Sequence, residues 1–287
     1  MTGVPFRRRR VLCAAASGLH RVAYYEWGDR GSDRTVVCVH GLSRCARDFD
    51  ALAAALADRC RVVSVDLPGR GESDWLKQPL EYAVPTYVND LVTLIARLDV
   101  EAVDWVGTSL GALCGMAIAA QELSPIRRLV LNDAGPVISA ASLERIGEYL
   151  GKAPTFASFE EAVAYVRAVS APFGPHTDAQ WRGLTEHVVR PLPGGGFRMH
   201  YDPKIAEPYN AQRPFKDSDL WHLWDAIRAP VLLLRGAESD LLPRDVALEM
   251  SRRGPRATLV EFPGVGHAPT LLTPDQIAPV REFLLGT

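Results

Sequence analysis

The chain has 287 residues, of which 47% are hydrophobic and 23% charged, and its 32 basic and 34 acidic residues leave a formal net charge of −2. These values are those of an ordinary folded globular protein, and they exclude a disordered or fibrous chain. They also give no basic surplus that would indicate nucleic acid or an anionic membrane as a partner, so we expect a small-molecule ligand.

The first thirty residues have two interpretations. Arg7 to Arg10 precede a short apolar run at 11–16, which is similar to the charged and apolar regions of a secretory signal. The apolar run is short for that purpose, and two strands at 11–16 and 22–27, joined at Ser17-Gly18, use the same residues as part of the fold. We favour the strands. Since no apolar run approaches the roughly 18 residues of a membrane helix, the expected location is the cytoplasm.

Short apolar blocks then alternate with segments of helical period. The blocks are rich in β-branched residues and leucine, as is typical of parallel strands buried on both faces. They occupy residues 36–39, 62–65, 103–106, 129–131, 231–234 and 257–262. Helical spacing is clear at 88–98 and in the last segment, which opens with Thr273-Pro274. The alternation predicts an α/β fold around a mostly parallel sheet.

Residues 137–224 break this alternation. They contain no apolar strand block, and their apolar residues recur at helical spacing around 143–150 and 159–166. Because this segment is too long for a loop, we predict a mainly helical lid at 137–224, inserted in a core formed by 1–136 and 225–287. Its aromatic residues are expected to form mostly the lid's own packing core, with a few facing a pocket.

The five cysteines are odd in number and form no C-x-x-C pair, and two of them lie inside apolar segments. This predicts reduced thiols in the core and no metal site. They are Cys13, Cys38, Cys45, Cys60 and Cys114.

The strongest chemical signal is a G-x-S-x-G motif at residues 107–111, with Ser109 at its centre. It follows a predicted strand and opens an apolar helix, the context in which a sharp turn exposes a serine hydroxyl. A serine needs a base, and His267 lies in a glycine-rich loop directly after the last strand block. The other histidines outside the loop at 40–44 have no comparable context. We therefore predict Ser109 as nucleophile and His267 as general base and acid.

Two carboxylates are candidates for orienting the imidazole of His267. Asp240 follows the strand at 231–234, and Asp133 follows the strand at 129–131. Both give the chain order serine, aspartate, histidine. Asp133 is readily explained as a turn residue ahead of Gly135-Pro136, so the sequence favours Asp240 and leaves Asp133 as the alternative.

An oxyanion needs two preorganised donors, and we predict the N–H groups of Leu110 and Leu42. Leu42 lies in the loop 40–44 after an early strand, where Gly41 permits a sharp turn. His40, which ends that strand, is expected to pack or support the site and not to act as base. Arg44 is predicted near the mouth of the site, where it either binds a substrate carboxylate or bonds the lid and its own loop.

These residues together resemble the α/β-hydrolase family over nearly the whole chain. The resemblance implies an eight-stranded, mostly parallel sheet, a helical lid after the sixth strand, and hydrolysis through an acyl-enzyme without cofactor. Some relatives use an acid after the sixth strand, where Asp133 falls. The matching segments are His40-Gly41, the loop 66–73, the turn at Ser109, the turn at Asp240, and Gly266-His267.

Departures from the family's other patterns narrow the expected chemistry. Ser109 stands where haloalkane dehalogenases and epoxide hydrolases have aspartate, and the loop 40–43 lacks the glycine and proline runs of proline iminopeptidases and many carbon-carbon bond hydrolases. The expected function is a cytoplasmic carboxylesterase acting on a small-molecule ester. The alternatives are a carbon-carbon or amide bond hydrolase, a cofactor-free perhydrolase, or a receptor that binds a ligand on this fold without turnover.

Overall fold

The structure, a computed structural model, describes residues 4–286. Its strands are β1 (Arg7–Ala15), β2 (Gly18–Trp27), β3 (Thr35–Val39), β4 (Arg61–Val65), β5 (Val103–Thr108), β6 (Ile126–Asn132), β7 (Val137–Ile138), β8 (Thr155–Phe156), β9 (Val189–Pro191), β10 (Phe197–Met199), β11 (Ser218–Asp219), β12 (Val231–Gly236) and β13 (Thr258–Phe262). Its helices are α1 (Asp50–Leu56), α2 (Val84–Leu98), α3 (Leu110–Ala119), α4 (Ala140–Tyr149), α5 (Phe159–Val169), α6 (Asp178–Glu186), α7 (Ala206–Asn210), α8 (Trp221–Ala226), α9 (Arg244–Met250) and α10 (Pro274–Leu285).

Eight strands form one sheet in the order β1-β2-β4-β3-β5-β6-β12-β13. The pairs β1–β2 and β2–β4 are antiparallel, and the remaining neighbours are parallel. All the predicted strand blocks, including the two at the start of the chain, are therefore strands of this sheet.

Both faces of the sheet are covered, because alternate residues of a strand point to opposite sides. In β3, Val37 and Val39 pack on the side that carries α2 and α3, whereas Val36 and Cys38 pack on the side that carries α1 and α10. This double burial explains why the strands are continuous apolar runs.

The chain between β6 and β12 contains the five helices α4 to α8, the last of which continues two residues beyond the predicted lid boundary at 224. It also contains two small antiparallel sheets, β8-β10-β9 and β7-β11, which the sequence analysis did not predict. Their strands have two or three residues each, which is too short for an alternating pattern to be recognised. We keep the name lid for residues 137–224.

Within residues 4–286, no helix combines the length and the apolar character needed to cross a membrane. All five cysteines are free and buried. Burial also raises the pKa of their thiols, so few thiolates form at neutral pH.

We predict that the native protein reacts slowly with a thiol reagent such as DTNB, because a buried, protonated thiol is a poor nucleophile. Fewer than one thiol should react rapidly at pH 7.5, and all five should react after denaturation in guanidinium chloride without reductant. The absorbance of the nitrothiobenzoate released from DTNB gives the number of cysteines that have reacted. Fast labelling of the native protein would contradict the burial, and fewer than five thiols on unfolding would indicate a disulfide.

Candidate active site

Ser109 lies at the turn between β5 and α3, at the carboxyl end of the parallel strands. Its φ of 53° is in the left-handed region that non-glycine residues rarely adopt. The backbone N–H of Ser109 donates to the carbonyl of Asn132 at the end of β6, at 3.0 Å. This bond helps hold the strained turn and confirms the predicted strand-to-helix context.

The two glycines of the motif are required by close backbone contacts. A Cβ on Gly107 would lie 2.2 Å from the carbonyl oxygen of Gly111, and a Cβ on Gly111 would lie 2.0 Å from the carbonyl oxygen of Val39. Neither position has room for a side chain. The glycines therefore let the start of α3 pack directly against β3 and β5.

His267 connects Ser109 to a buried carboxylate. Its Nε2 lies 2.9 Å from the Ser109 Oγ, and its Nδ1 lies 2.7 Å from an Oδ2 oxygen of Asp133. Asp133 is fully buried, whereas the side chain of His267 keeps 13% of its surface exposed. The three side chains form a continuous hydrogen-bonded chain that ends at the serine hydroxyl.

Two further donors hold the Asp133 carboxylate. Its Oδ1 accepts from the N–H of Gly236 at 3.0 Å, and its Oδ2 accepts from the hydroxyl of Ser239 at 2.6 Å. Gly236 is the last residue of β12, and Ser239 lies in the turn that follows it. These hydrogen bonds satisfy the buried carboxylate oxygens and fix their position, which suits a group that orients an imidazole.

The prediction of Asp240 as the orienting acid was wrong, because the carboxylate beside His267 is that of Asp133. The Asp240 side chain is half exposed and forms an ion pair with Arg145 of α4, at 2.9 Å. Its backbone carbonyl accepts from the hydroxyl of Ser142 in the same helix, at 2.8 Å. Asp240 therefore contacts the lid, and the alternative, Asp133, is the carboxylate beside His267.

Strand order explains this result. Asp133 follows β6, which pairs directly with β5 and so places Asp133 next to the turn that carries Ser109. Asp240 follows β12, one strand further away, and is separated from its end by Ala237, Glu238 and Ser239. The sequence feature that could have identified the acid is the position of Asp133 directly after the last residue of β6.

The predicted oxyanion residues lie together in the wall of one cavity. Leu42 and Leu110 line it beside Ser109, and a Cβ on Gly41 would lie 3.5 Å from the Ser109 Cβ. The carbonyl of Leu42 accepts from Nε of Arg70, a fully buried guanidinium, at 2.8 Å. The sequence analysis did not single out Arg70, although it lies in the loop 66–73 that carries part of the family resemblance.

His40 forms hydrogen bonds with backbone groups of the loop 40–44 and of the loop 66–73. Its Nδ1–H donates to the carbonyl of Gly41 at 2.6 Å, and its Nε2 accepts from the N–H of Leu67 at 3.0 Å. This pair of bonds fits a neutral ring protonated on Nδ1, because Nε2 must remain free to accept. Burial lowers the pKa of His40 to about 3, which keeps the ring neutral.

Arg44 lines the same cavity but already has partners. Its guanidinium bonds both oxygens of Asp48 at 2.7 Å and donates to the carbonyl of Leu184 in α6, at 3.0 Å. Arg44 thus binds its own loop and the lid, and a substrate carboxylate would have to compete with Asp48.

The cavity has a volume of about 520 Å³, within the range usual for small-molecule sites. Ser109, His267 and the loop 40–44 line its core side, and the lid supplies the opposite wall. Among the lid aromatics, Tyr149, Tyr165, Phe173, Tyr201 and Tyr209 face the cavity. Phe156 and Trp181 are buried within the lid, as expected for its packing core.

Comparison with known proteins agrees with this architecture. A model of the alpha/beta hydrolase family matches residues 36–280. The chain is 48% identical over 283 residues to the 3-hydroxybutyrate-oligomer hydrolase of Cupriavidus necator, covering 96% of this chain and 97% of that protein. It is 30% identical over 253 residues to the esterase Rv0045c of Mycobacterium tuberculosis, covering 85% and 77%.

Solved structures show the same fold. An alpha/beta hydrolase from Novosphingobium aromaticivorans superimposes with a TM-score of 0.89 at 36% identity, covering 99% of both chains. The chain therefore belongs to the α/β-hydrolase family, and the predicted fold is confirmed. Within that family it is an ester hydrolase.

We predict that His40 makes the stability of the protein pH-dependent. The unfolded chain takes up a proton at this residue near pH 6.5, but the folded chain does so only near pH 3. The free energy of unfolding therefore falls as the pH drops through this range, by about 2 kcal/mol between pH 7.5 and 5. In His40→Gln this contribution disappears, so urea unfolding should show a smaller loss between the two pH values than in the parent.

The matched control is His222→Gln, because His222 is exposed at the start of α8. This variant should retain the parent's pH dependence. An unchanged difference between pH 7.5 and 5 in His40→Gln would show that His40 is not the buried neutral group described above.

Proposed function

We propose that this protein hydrolyses the ester bonds of 3-hydroxybutyrate oligomers through an acyl-enzyme on Ser109. The observation that carries the proposal is the hydrogen-bonded chain from Ser109 through His267 to Asp133, at 2.9 and 2.7 Å, on the wall of a lidded cavity. The choice of substrate is supported by 48% identity over nearly the whole chain to a relative with that activity.

In the first half of the reaction, the Ser109 hydroxyl attacks the ester carbonyl while Nε2 of His267 takes its proton. Asp133 accepts the Nδ1–H of His267, which fixes the tautomer and stabilises the imidazolium that forms. The negative charge that develops on the carbonyl oxygen is bound by the N–H groups of Leu42 and Leu110.

Collapse of this intermediate breaks the bond to the alcohol oxygen, which takes the proton from Nε2 and leaves as the hydroxyl end of one fragment. Water then enters, His267 removes its proton, and attack on the acyl-enzyme releases the other fragment as a carboxylic acid and regenerates Ser109. The net reaction consumes one ester and one water.

His40 and Arg70 act in this mechanism as positioning residues. The N–H of Leu42 and the carbonyl of Gly41 belong to the same peptide unit, and that carbonyl accepts the bond from His40. Arg70 holds the next carbonyl, that of Leu42. The oxyanion donor is thus fixed before substrate binds, which is what makes such donors effective.

The substrate assignment is tested with linear 3-hydroxybutyrate dimer and trimer, measured beside p-nitrophenyl butyrate and an N-acyl amide of the same acyl length. We expect release of 3-hydroxybutyrate with a higher kcat/KM for the oligomers than for the other substrates. A preference for the amide, or cleavage of the nitrophenyl ester without cleavage of the oligomers, would overturn the assignment.

Ser109→Ala should lower kcat by about a million-fold, because without the hydroxyl no acyl-enzyme forms. A fluorophosphonate probe should label the parent once, at Ser109, and should not label the variant. Mass spectrometry of the labelled peptide identifies the site. Labelling of another serine, or hydrolysis retained by the alanine variant, would contradict the mechanism.

Asp133→Asn and Asp240→Asn form a matched pair. Asp133→Asn should lower kcat by about 10⁴-fold, because an amide donor facing Nδ1 favours the wrong tautomer of His267. Asp240→Asn breaks only a half-exposed ion pair and should change kcat less than about threefold. Thermal unfolding of both variants checks that the fold is retained. The opposite ranking would return the orienting role to Asp240.

A further inference from the structure

Four tyrosines line the lid side of the cavity, and they differ in how the protein uses their hydroxyls. The hydroxyl of Tyr201 donates to the carbonyl of Lys152 at 2.6 Å, and that of Tyr209 donates to the carbonyl of Leu143. These two phenols are committed to holding the lid together.

The other two phenols are different. Within residues 4–286, the hydroxyls of Tyr149 and Tyr165 make no hydrogen bond with another protein group, although both side chains are half-buried and line the cavity. Tyr149 ends α4 and Tyr165 lies in α5, where its ring packs against Phe156 at a centroid distance of 5.3 Å. Burial raises the pKa of both phenols, so they remain protonated and can donate.

The cavity that these phenols line is largely apolar, although the guanidinium of Arg145 also lines it. Leu143, Ile146, Met199 and Ile205 of the lid line the same cavity. When a ligand displaces water from such a wall, a hydroxyl donor left without an acceptor costs free energy, so these hydroxyls favour a ligand that brings an acceptor. The cavity therefore favours a ligand with acceptors placed away from the reacting bond.

A 3-hydroxybutyrate oligomer has this property. Each ester linkage contributes a carbonyl oxygen that accepts but cannot donate, and a hydroxyl donor occurs only at one end of the chain. A simple alkyl ester has only the carbonyl that is attacked, and this one faces Ser109 and the oxyanion donors. The two free phenols thus complement an oligoester and gain nothing from an alkyl chain.

We infer that Tyr149 and Tyr165 form a subsite that donates hydrogen bonds to the ester carbonyls of the oligomer that are not being cleaved. The inference rests on the proposed function and extends it, since it assigns the preference for oligomers over simple esters to two named hydroxyl groups of the lid.

The test compares the double variant Tyr149→Phe/Tyr165→Phe with the parent on three substrates. The dimer contains one ester, the trimer contains two, and p-nitrophenyl hexanoate has an alkyl chain in place of the second unit. Loss of hydrogen bonding to the one ester carbonyl of the trimer that is not being cleaved should lower its kcat/KM about 3- to 10-fold. The dimer should change little, and the alkyl ester should be unchanged or cleaved faster.

Tyr201→Phe and Tyr209→Phe are the matched controls, because their hydroxyls already bond backbone carbonyls. Any effect of these changes acts through the lid and should alter trimer, dimer and alkyl ester by the same factor. A selective loss on the trimer in the double variant and not in the controls supports the subsite.

The unfavourable outcomes are distinct. If the parent cleaves dimer and trimer but the double variant keeps the parent's ratio of trimer to dimer, the subsite is refuted and the proposed function stands. If the parent cleaves the alkyl ester and neither oligomer, both are refuted. Equal losses of the double variant on all three substrates would show a structural role and also overturn the inference.

Discussion

The carboxylate of Asp133 is fully buried, and groups from separate parts of the chain form hydrogen bonds with it. Gly236 at the end of β12 and Ser239 in the turn after it donate to this carboxylate, and His267 faces it from the loop after β13. A buried charge is costly unless it is well supplied with such partners. The ends of three adjacent strands are thus held in place around one group, and the orientation of His267 toward Ser109 depends on that group.

Two histidines near Ser109 show how surroundings decide chemical role. His267 faces a carboxylate and keeps one nitrogen for the serine hydroxyl, so it can gain and lose a proton during a reaction. His40 has both nitrogens occupied by backbone groups and is fully buried, so it stays neutral. The first residue suits proton transfer, and the second fixes the peptide unit that presents an oxyanion donor.

Much of this arrangement could be predicted from the sequence, because local signals control it. The strands, the turn at Ser109 and the loop of His267 are determined by apolar runs and by glycines whose positions tolerate no side chain. The sequence favoured Asp240 over Asp133 because the correct choice depends on strand order, which is a property of the whole sheet. The short lid strands, and the difference between free and bonded phenols, likewise arise only from tertiary contacts.

The lid is joined to the core by charged contacts of unequal exposure. Arg44 donates to the Leu184 carbonyl of α6, and Arg44 and its partner Asp48 keep 12% and 20% of their side-chain surface exposed. Arg145 and Asp240, which join α4 to the turn after β12, keep 35% and 49% exposed. Dissolved ions screen an exposed pair more strongly than a buried one. We therefore expect added salt to weaken the Arg145–Asp240 pair at α4 more than the Arg44–Asp48 pair, and to affect least the fully buried carboxylate that orients the imidazole.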